Sequence, residues 1–150
     1  MSYKPKKGEI VIDISRRLEQ RGDSFIGALK YDNKTSCIIL KSDVKSKIKK
    51  NFKGKIVNLL ERVYCIMTYE AVKDWLSSDI TKVIFCGDYD KGKLNNYFKS
   101  LLGYDCGCID TDFKGKNVGH YIANKCKRKK SRCNHKFISY DDIKNNLLRE

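Results

Sequence analysis

Proline is almost absent from this chain of 150 residues: the only one is Pro5, and no segment is low in complexity. No apolar run approaches the roughly 20 residues that a membrane-spanning helix needs. The first residues, MSYKPKKGE, also lack the apolar segment of a secretory signal. We therefore expect one domain over residues 1–150 that is soluble, cytoplasmic and without a membrane partner.

Acidic residues are too few to balance the basic ones. The chain has 18 Asp and Glu against 32 Lys and Arg, for a net charge of +14. Such an excess favours a polyanionic partner, and nucleic acid is the first candidate. Lysines scattered over a solvated surface are the alternative. The basic residues cluster, however, in KSKIKKNFKGK (residues 45–55) and KCKRKKSRCNHK (residues 125–136), so we favour nucleic acid.

The cysteines lack the pattern of a common zinc site. There are seven, an odd number, and no export signal accompanies them, so we expect reduced thiols. Three lie in apolar segments and are interpreted as packing residues, namely Cys37, Cys65 and Cys86. The other four, with His135, have the spacings C-x-C, C-x₆-C and C-x-H and include no CxxC pair, so Zn²⁺ is not favoured. These four are Cys106, Cys108, Cys126 and Cys133.

Hydrophobic periodicity predicts three strands in the first part of the chain, at Glu9–Ser15, residues 24–31 and residues 35–41. The connections between them are short and turn-like, which favours an antiparallel meander. Residues 55–78 contain neither proline nor glycine. We expect them to form one long helix packed on the sheet, with Val57 on its buried stripe.

The second half of the chain alternates between strand and helix patterns, and ends with a short strand and a helix capped by Asp141 or Asp142. Antiparallel strands followed by alternation are typical of an α+β or mixed-sheet α/β domain. The predicted elements are strands at residues 82–86 and 104–111 and helices at residues 93–103 and 117–129.

Three acidic residues lie at positions that this architecture can bring together. Asp13 is inside the first strand, Glu61 is early in the long helix, and Asp88 ends the fourth strand. An ionised carboxylate among apolar neighbours is costly unless it is paired or bound to a cation. Converging carboxylates suit Mg²⁺, a hard cation that takes oxygen ligands. The alternatives are a turn role for Asp88 and a favourable helix-dipole position for Glu61.

On these residues the chain resembles the ribonuclease H-like superfamily, which includes RuvC-like nucleases. The similarity lies in the element order and in ERVYCIMTYEAVKDW (residues 61–75) followed by KVIFCGD (residues 82–88). It implies an α/β fold with a five-stranded mixed sheet, flanked by helices, whose first three strands are antiparallel. It also implies that Asp13, Glu61 and Asp88 bind Mg²⁺ or Mn²⁺, with two ions possible.

Two further ligand positions have alternatives. Glu70 follows Glu61 by about 2.5 helical turns and faces the other way, so only one of them can be a ligand, and we choose Glu61. The last core helix of the family begins with an Asp, whereas here the matching segment NVGHYIANK contains His120, and some RuvC-like nucleases have His there. We expect His120 to bind metal or orient water, with Asp112 as the second candidate.

The resemblance implies a metal-dependent nuclease that hydrolyses phosphodiester bonds in RNA, DNA or a hybrid by a two-metal-ion mechanism. The basic run after His120 would hold phosphates. A non-catalytic nucleic-acid-binding domain on the same fold is the alternative. A phosphatase-like enzyme using GDYDKG is disfavoured because it prefers a parallel sheet. The expected phosphate contacts are Lys125, Lys127, Arg128, Lys129, Lys130 and Arg132.

Overall fold

Six strands form one mixed sheet in the computed structural model, which describes residues 3–76, 79–86, 89–102, 110–114, 122–124 and 135–148. Their order across the sheet is β5-β4-β1-β2-β3-β6, so β1 has a neighbour on both sides. In chain order the strands are β1 (Glu9–Ser15), β2 (Ser24–Lys30), β3 (Thr35–Leu40), β4 (Lys82–Cys86), β5 (Asp110–Lys114) and β6 (His135–Phe137).

The pairing confirms a mixed α/β fold whose first three strands are antiparallel. β2 pairs antiparallel with β1 and with β3. The turn between β2 and β3 contains Asn33 at φ 70°, a left-handed conformation that Asn tolerates. β4 runs parallel to β1, β5 parallel to β4, and β6 parallel to β3.

Two strands differ from the sequence-based prediction. β5 includes residues 112–114, which we expected to form a loop, while residues 104–109 lie outside the described part of the chain. Each of its five residues pairs with one of β4, from Lys82↔Asp110 to Cys86↔Lys114. Pairing with β4, rather than local turn chemistry, therefore sets the extent of β5. β6 matches the short strand expected before the last helix but begins earlier, at His135, and it adds a sixth strand to the sheet beside β3.

In the part of the chain that the structure describes, four helices pack on the sheet face of the larger core, and none of the described helices has the length and hydropathy of a membrane span. The single long helix expected over residues 55–78 is wrong at both ends. Asn58 has φ 58°, which breaks the helix before Leu59, so Val57 is 73% exposed instead of buried. The helices are α1 (Ser42–Phe52), α2 (Leu59–Val72), α3 (Lys91–Leu102) and α4 (Tyr140–Leu147), with a 3-10 turn at Lys73–Trp75 and helical residues at 122–124.

The cap of α4 is also different from the expected one. The Asp142 N–H donates to the Ser139 hydroxyl (3.1 Å), and the Ser139 N–H donates to the Asp142 carboxylate (3.3 Å). This reciprocal pair is a capping box with Ser139 at the N-cap. Asp142 therefore contributes from the first turn of the helix and not from the cap position.

The two faces of the sheet have separate cores. The larger core lies between one face and the four helices, and it takes three isoleucines from β1: Ile10, Ile12 and Ile14. The smaller core covers the other face and consists of Phe25, Cys37, Ile39 and Ile122. Residues 122–124 therefore pack on the face opposite α2.

The loop between β1 and β2 is fastened to α1 by a buried lysine. The Lys45 ammonium donates to the carbonyls of Gln20 (2.9 Å) and Gly22 (2.8 Å). Burial, together with repulsion from Lys49 and Arg16, lowers the pKa of Lys45 to about 8. These carbonyl contacts compensate the ammonium for its lost water, and they hold the loop next to the C-terminal end of β1.

Removing this ammonium should loosen the loop. We expect Lys45→Met to lower the free energy of unfolding by about 2 kcal/mol, because the carbonyls of Gln20 and Gly22 lose their donor. The measurement is urea denaturation at neutral pH. Ser46→Ala, at the next and exposed position of α1, is the control and should change stability by less than about 0.5 kcal/mol. Equal stabilities of the two variants would contradict the anchoring role.

Candidate functional site

Asp13 is a fully buried carboxylate in the middle of the sheet. Its exposed fraction is 0%, and it lies on β1, between β4 on one side and β2 on the other. The Ile14 N–H donates to its Oδ1 atom at 2.7 Å. The residue directly opposite on β2 is Gly27.

Asp13 lies on the face of the sheet that carries the smaller core. Side chains alternate along a strand, so the isoleucines of β1 point to one face and Asp13 and Ser15 to the other. The Ser15 hydroxyl donates to the Asn124 side-chain oxygen at 3.0 Å. Asn124 therefore lies beside Ser15, which is two residues after Asp13 on β1 and on the same face of the sheet.

The end of β4 lies next to Asp13. The register of β1 and β4 runs from Glu9↔Lys82 to Ile12↔Phe85, so Asp13 and Cys86 are the residues that follow the last pair on each strand. Asp88 follows Cys86 by two residues in the sequence, and it lies outside the described residues. The predicted pairing of β1 with the fourth strand is thus present, and the fourth strand is described up to Cys86.

Glu61 belongs to the other face of the sheet. It lies in the first turn of α2 and is partly exposed, and no Lys or Arg of the described ranges pairs with it. Glu70, the competing ligand, binds Lys73 (2.8 Å) and Lys136 (3.2 Å). Because two ammonium groups occupy the Glu70 carboxylate, Glu61 remains the better ligand candidate on α2.

Asp13 and Glu61 lie on opposite faces of the sheet. A shared site therefore requires both carboxylates to reach the edge of the sheet that is formed by the C-terminal ends of β1 and β4. α2 begins at that edge, since the Tyr64 ring contacts Phe85 of β4 with ring centroids 5.7 Å apart. Asp112 lies on β5, where only its backbone is described. The other predicted site residues are outside the described ranges, namely His120, Lys125, Lys127, Arg128, Lys129, Lys130 and Arg132.

Tyr89 is a residue that the sequence reasoning missed. The Leu18 N–H donates to the Tyr89 hydroxyl at 3.0 Å, and this hydroxyl donates to Glu19 at 3.3 Å. Its ring contacts Tyr64 edge to face at 5.1 Å. Burial raises the pKa of Tyr89, so its hydroxyl stays protonated. Tyr89 therefore joins the chain just after Asp88 to both α2 and the loop after β1.

Asp90 has the turn role that the sequence indicated for this region. Its Oδ1 atom accepts the Lys93 N–H at 3.0 Å, in the first turn of α3. A carboxylate in this position satisfies a backbone donor that the helix leaves unpaired. Asp90 thus starts α3, and Asp88 remains the candidate ligand of this stretch.

The cysteines behave differently from one another. Cys65 is a free, buried thiol that donates to the Leu94 carbonyl at 3.4 Å, and burial raises its pKa, as a packing role requires. Cys37 is disulfide-bonded, so the prediction of reduced thiols is wrong for this residue. Its sulfur lies in the smaller core, where Ile122 also packs. The second cysteine of the bond is not among those whose side chains are described.

Within the described ranges no group of three or more His, Cys, Asp or Glu side chains is arranged to hold a metal ion. Asp88 and His120 lie outside these ranges. Comparisons with protein-family models, curated proteins and solved structures gave no match for the chain. The functional proposal below therefore depends on the residues and their placement.

The contact between β1 and residues 122–124 can be tested by a double-mutant cycle. We expect Ser15→Ala and Asn124→Ala to show a coupling energy of about 1 kcal/mol, the usual value of one such hydrogen bond. The measurement is urea denaturation of both single variants and the double variant. Additive effects within about 0.3 kcal/mol would mean that Asn124 is not seated beside Ser15.

Proposed function

We propose that the protein is a metal-dependent nuclease with a ribonuclease H-like fold, which hydrolyses phosphodiester bonds in RNA, DNA or a hybrid. The observation that carries the proposal is the parallel pairing of β1 with β4. Asp13, which is buried, directly follows the last β1 residue paired with β4, the strand that leads to Asp88. Two carboxylates from adjacent strand ends form the core of the proposed site.

The residues fit a hard divalent cation such as Mg²⁺ or Mn²⁺. The Asp13 carboxylate offers oxygen ligands at a position with no solvent exposure, and its Oδ1 atom accepts the Ile14 N–H. Glu61 offers a second carboxylate, free of lysine and arginine within the described residues, on the helix that begins at the same edge. Oxygen ligands of this kind suit Mg²⁺ and Mn²⁺ and do not favour Zn²⁺ with its N and S ligands.

The roles of the chain's own residues follow from their placement. Asp13 is held in orientation by the Ile14 N–H and would bind the cation together with Asp88 and Glu61. A bound pair of such cations supplies an activated water and stabilises the leaving oxygen. His120 precedes Asn124 by four residues in the sequence, and we assign it to bind metal or to orient the attacking water. The basic run after it would hold the flanking phosphates.

A non-catalytic nucleic-acid-binding domain is the second candidate function. The observation that favours it is the placement of Asp13 and Glu61 on opposite faces of the sheet. If Glu61 does not reach the edge, the site has one carboxylate fewer than the nuclease requires. Such a protein would bind nucleic acid through its basic residues and would not respond to divalent cations.

The two functions are separated by one substitution. We expect Asp13→Asn to reduce Mn²⁺-dependent cleavage of labelled RNA, DNA and hybrid strands by at least about 100-fold, because even outer partners of metal ligands contribute 10–100-fold. EDTA should abolish cleavage by the wild-type protein. Asp74→Asn, which removes an exposed carboxylate at the other end of α2, is the matched control and should cleave normally.

A thermal-denaturation readout makes the test independent of cleavage. Mn²⁺ should raise the Tm of the wild-type protein and of Asp74→Asn, because a ligand that binds only the folded state stabilises it. It should leave the Tm of Asp13→Asn unchanged. Equal Mn²⁺ responses in all three proteins, or unchanged cleavage by Asp13→Asn, would reject the assignment of Asp13.

A further inference from the structure

A basic groove separate from Asp13 lies where the start of α2 meets α3 and the end of α4. Its volume is about 700 Å³, within the range of about 300–1,000 Å³ that is usual for ligand sites. Three cationic side chains line it, Lys55, Arg62 and Lys93, and none of its described lining residues is acidic. A groove with cations and no carboxylate selects for an anionic ligand.

Arg62 is held in a fixed orientation inside this groove. Its Nε donates to the Val57 carbonyl at 2.9 Å, and its guanidinium carbon lies 4.7 Å from the centre of the Tyr97 ring. Tyr97 is itself held by its hydroxyl, which donates to the Asn146 carbonyl at 3.0 Å. In the described part of the chain, the two terminal amino groups of Arg62 have no hydrogen-bond acceptor. They are available as a planar fork, the geometry that binds phosphate oxygens in pairs.

Apolar side chains are exposed next to these cations. Among the described residues three large apolar side chains are exposed, and two of them line the groove: Val57 at 73% and Leu148 at 58%. The left-handed turn at Asn58 keeps Val57 out of the helix and on the surface. The groove thus offers apolar surface beside an oriented guanidinium, so its ligand should have both an anionic part and an apolar part.

We propose that this groove binds nucleotide units of a single-stranded nucleic acid. The phosphates contact Arg62, Lys55 and Lys93, and a base lies against Val57 and Leu148. The net charge of +14 supports a polyanionic strand over a neutral ligand. A positively charged groove that follows the backbone is the usual way of holding a single strand without sequence preference. The proposal goes beyond the nuclease site, because it involves neither Asp13 nor a metal ion.

The test is fluorescence anisotropy of short, labelled oligothymidylate and oligouridylate strands in the presence of EDTA. We compare the wild-type protein with Lys55→Gln/Arg62→Gln/Lys93→Gln. Lys6→Gln/Lys7→Gln/Lys34→Gln is the matched control, since it removes the same charge from exposed positions at the opposite edge of the sheet. The groove variant should bind at least about 10-fold more weakly than the control. Its slope of log affinity against log salt should fall by about 2, as expected for three lost contacts to a single strand.

Two more variants separate folding and base contact from charge. Lys55→Gln/Lys93→Gln leaves the Arg62 contacts intact and should still bind more weakly than a two-lysine control, Lys7→Gln/Lys34→Gln. Val57→Ser should weaken binding without changing the salt slope. The proposal is overturned if Lys55→Gln/Lys93→Gln binds as tightly as Lys7→Gln/Lys34→Gln and Val57→Ser binds as tightly as the wild-type protein. Tighter binding of polyglutamate than of either strand, lost in the groove variant, would assign the groove to an acidic peptide instead.

The groove proposal and the nuclease proposal can be rejected independently of each other. Asp13→Asn should bind both strands in EDTA as the wild-type protein does, because the groove does not include Asp13. A cleavage defect with normal strand binding supports both assignments. Weakened strand binding by Asp13→Asn would contradict a separate groove.

Discussion

The parallel pairing of β1 with β4 is the contact on which the rest of the structure depends. It places β1 between a parallel and an antiparallel neighbour, and the two cores cover the faces of the sheet, so six of its seven residues are buried. A strand covered in this way should be apolar throughout. Asp13 is the one ionisable residue among the buried ones of β1, and it lies level with the end of β4.

The edge where β1 and β4 end is held together by residues other than the acids. Tyr89 joins the chain after β4 to Leu18 and Tyr64, and Lys45 fastens the loop after β1 to α1. These contacts fix the backbone on both sides of the proposed site, as a preorganised metal site requires. The basic groove lies at the start of the same helix that carries Glu61. A nucleic-acid strand bound in the groove would therefore extend from the groove along the α2 side of the sheet, where Glu61 lies.

Much of the fold could be predicted from the sequence because its elements are strongly periodic. The isoleucines of β1 and the short turn at Asn33 specify the antiparallel meander, and the apolar run of β4 specifies the fourth strand. The misses have physical causes. A left-handed Asn58 cannot be read from helix-compatible neighbours, and β5 is bounded by pairing with β4, which is a tertiary contact. Asp13, Glu61 and Asp88 could be named as candidates, but the face that each occupies depends on strand register and helix placement. The contacts of Tyr89 could not be predicted, because the sequence shows only an aromatic residue between two aspartates.

The central claim is that Asp13 and Asp88 share a divalent cation at the edge of the sheet. Its most direct test is a crystal structure of the wild-type protein with Mn²⁺, in which anomalous scattering locates the ion. We predict a peak about 2.1–2.2 Å from an Asp13 carboxylate oxygen, with an Asp88 oxygen in the same coordination shell. An ordered Asp13 whose carboxylate is satisfied by protein donors alone, with the Asp88 carboxylate more than about 10 Å away and no peak between them, would contradict the claim.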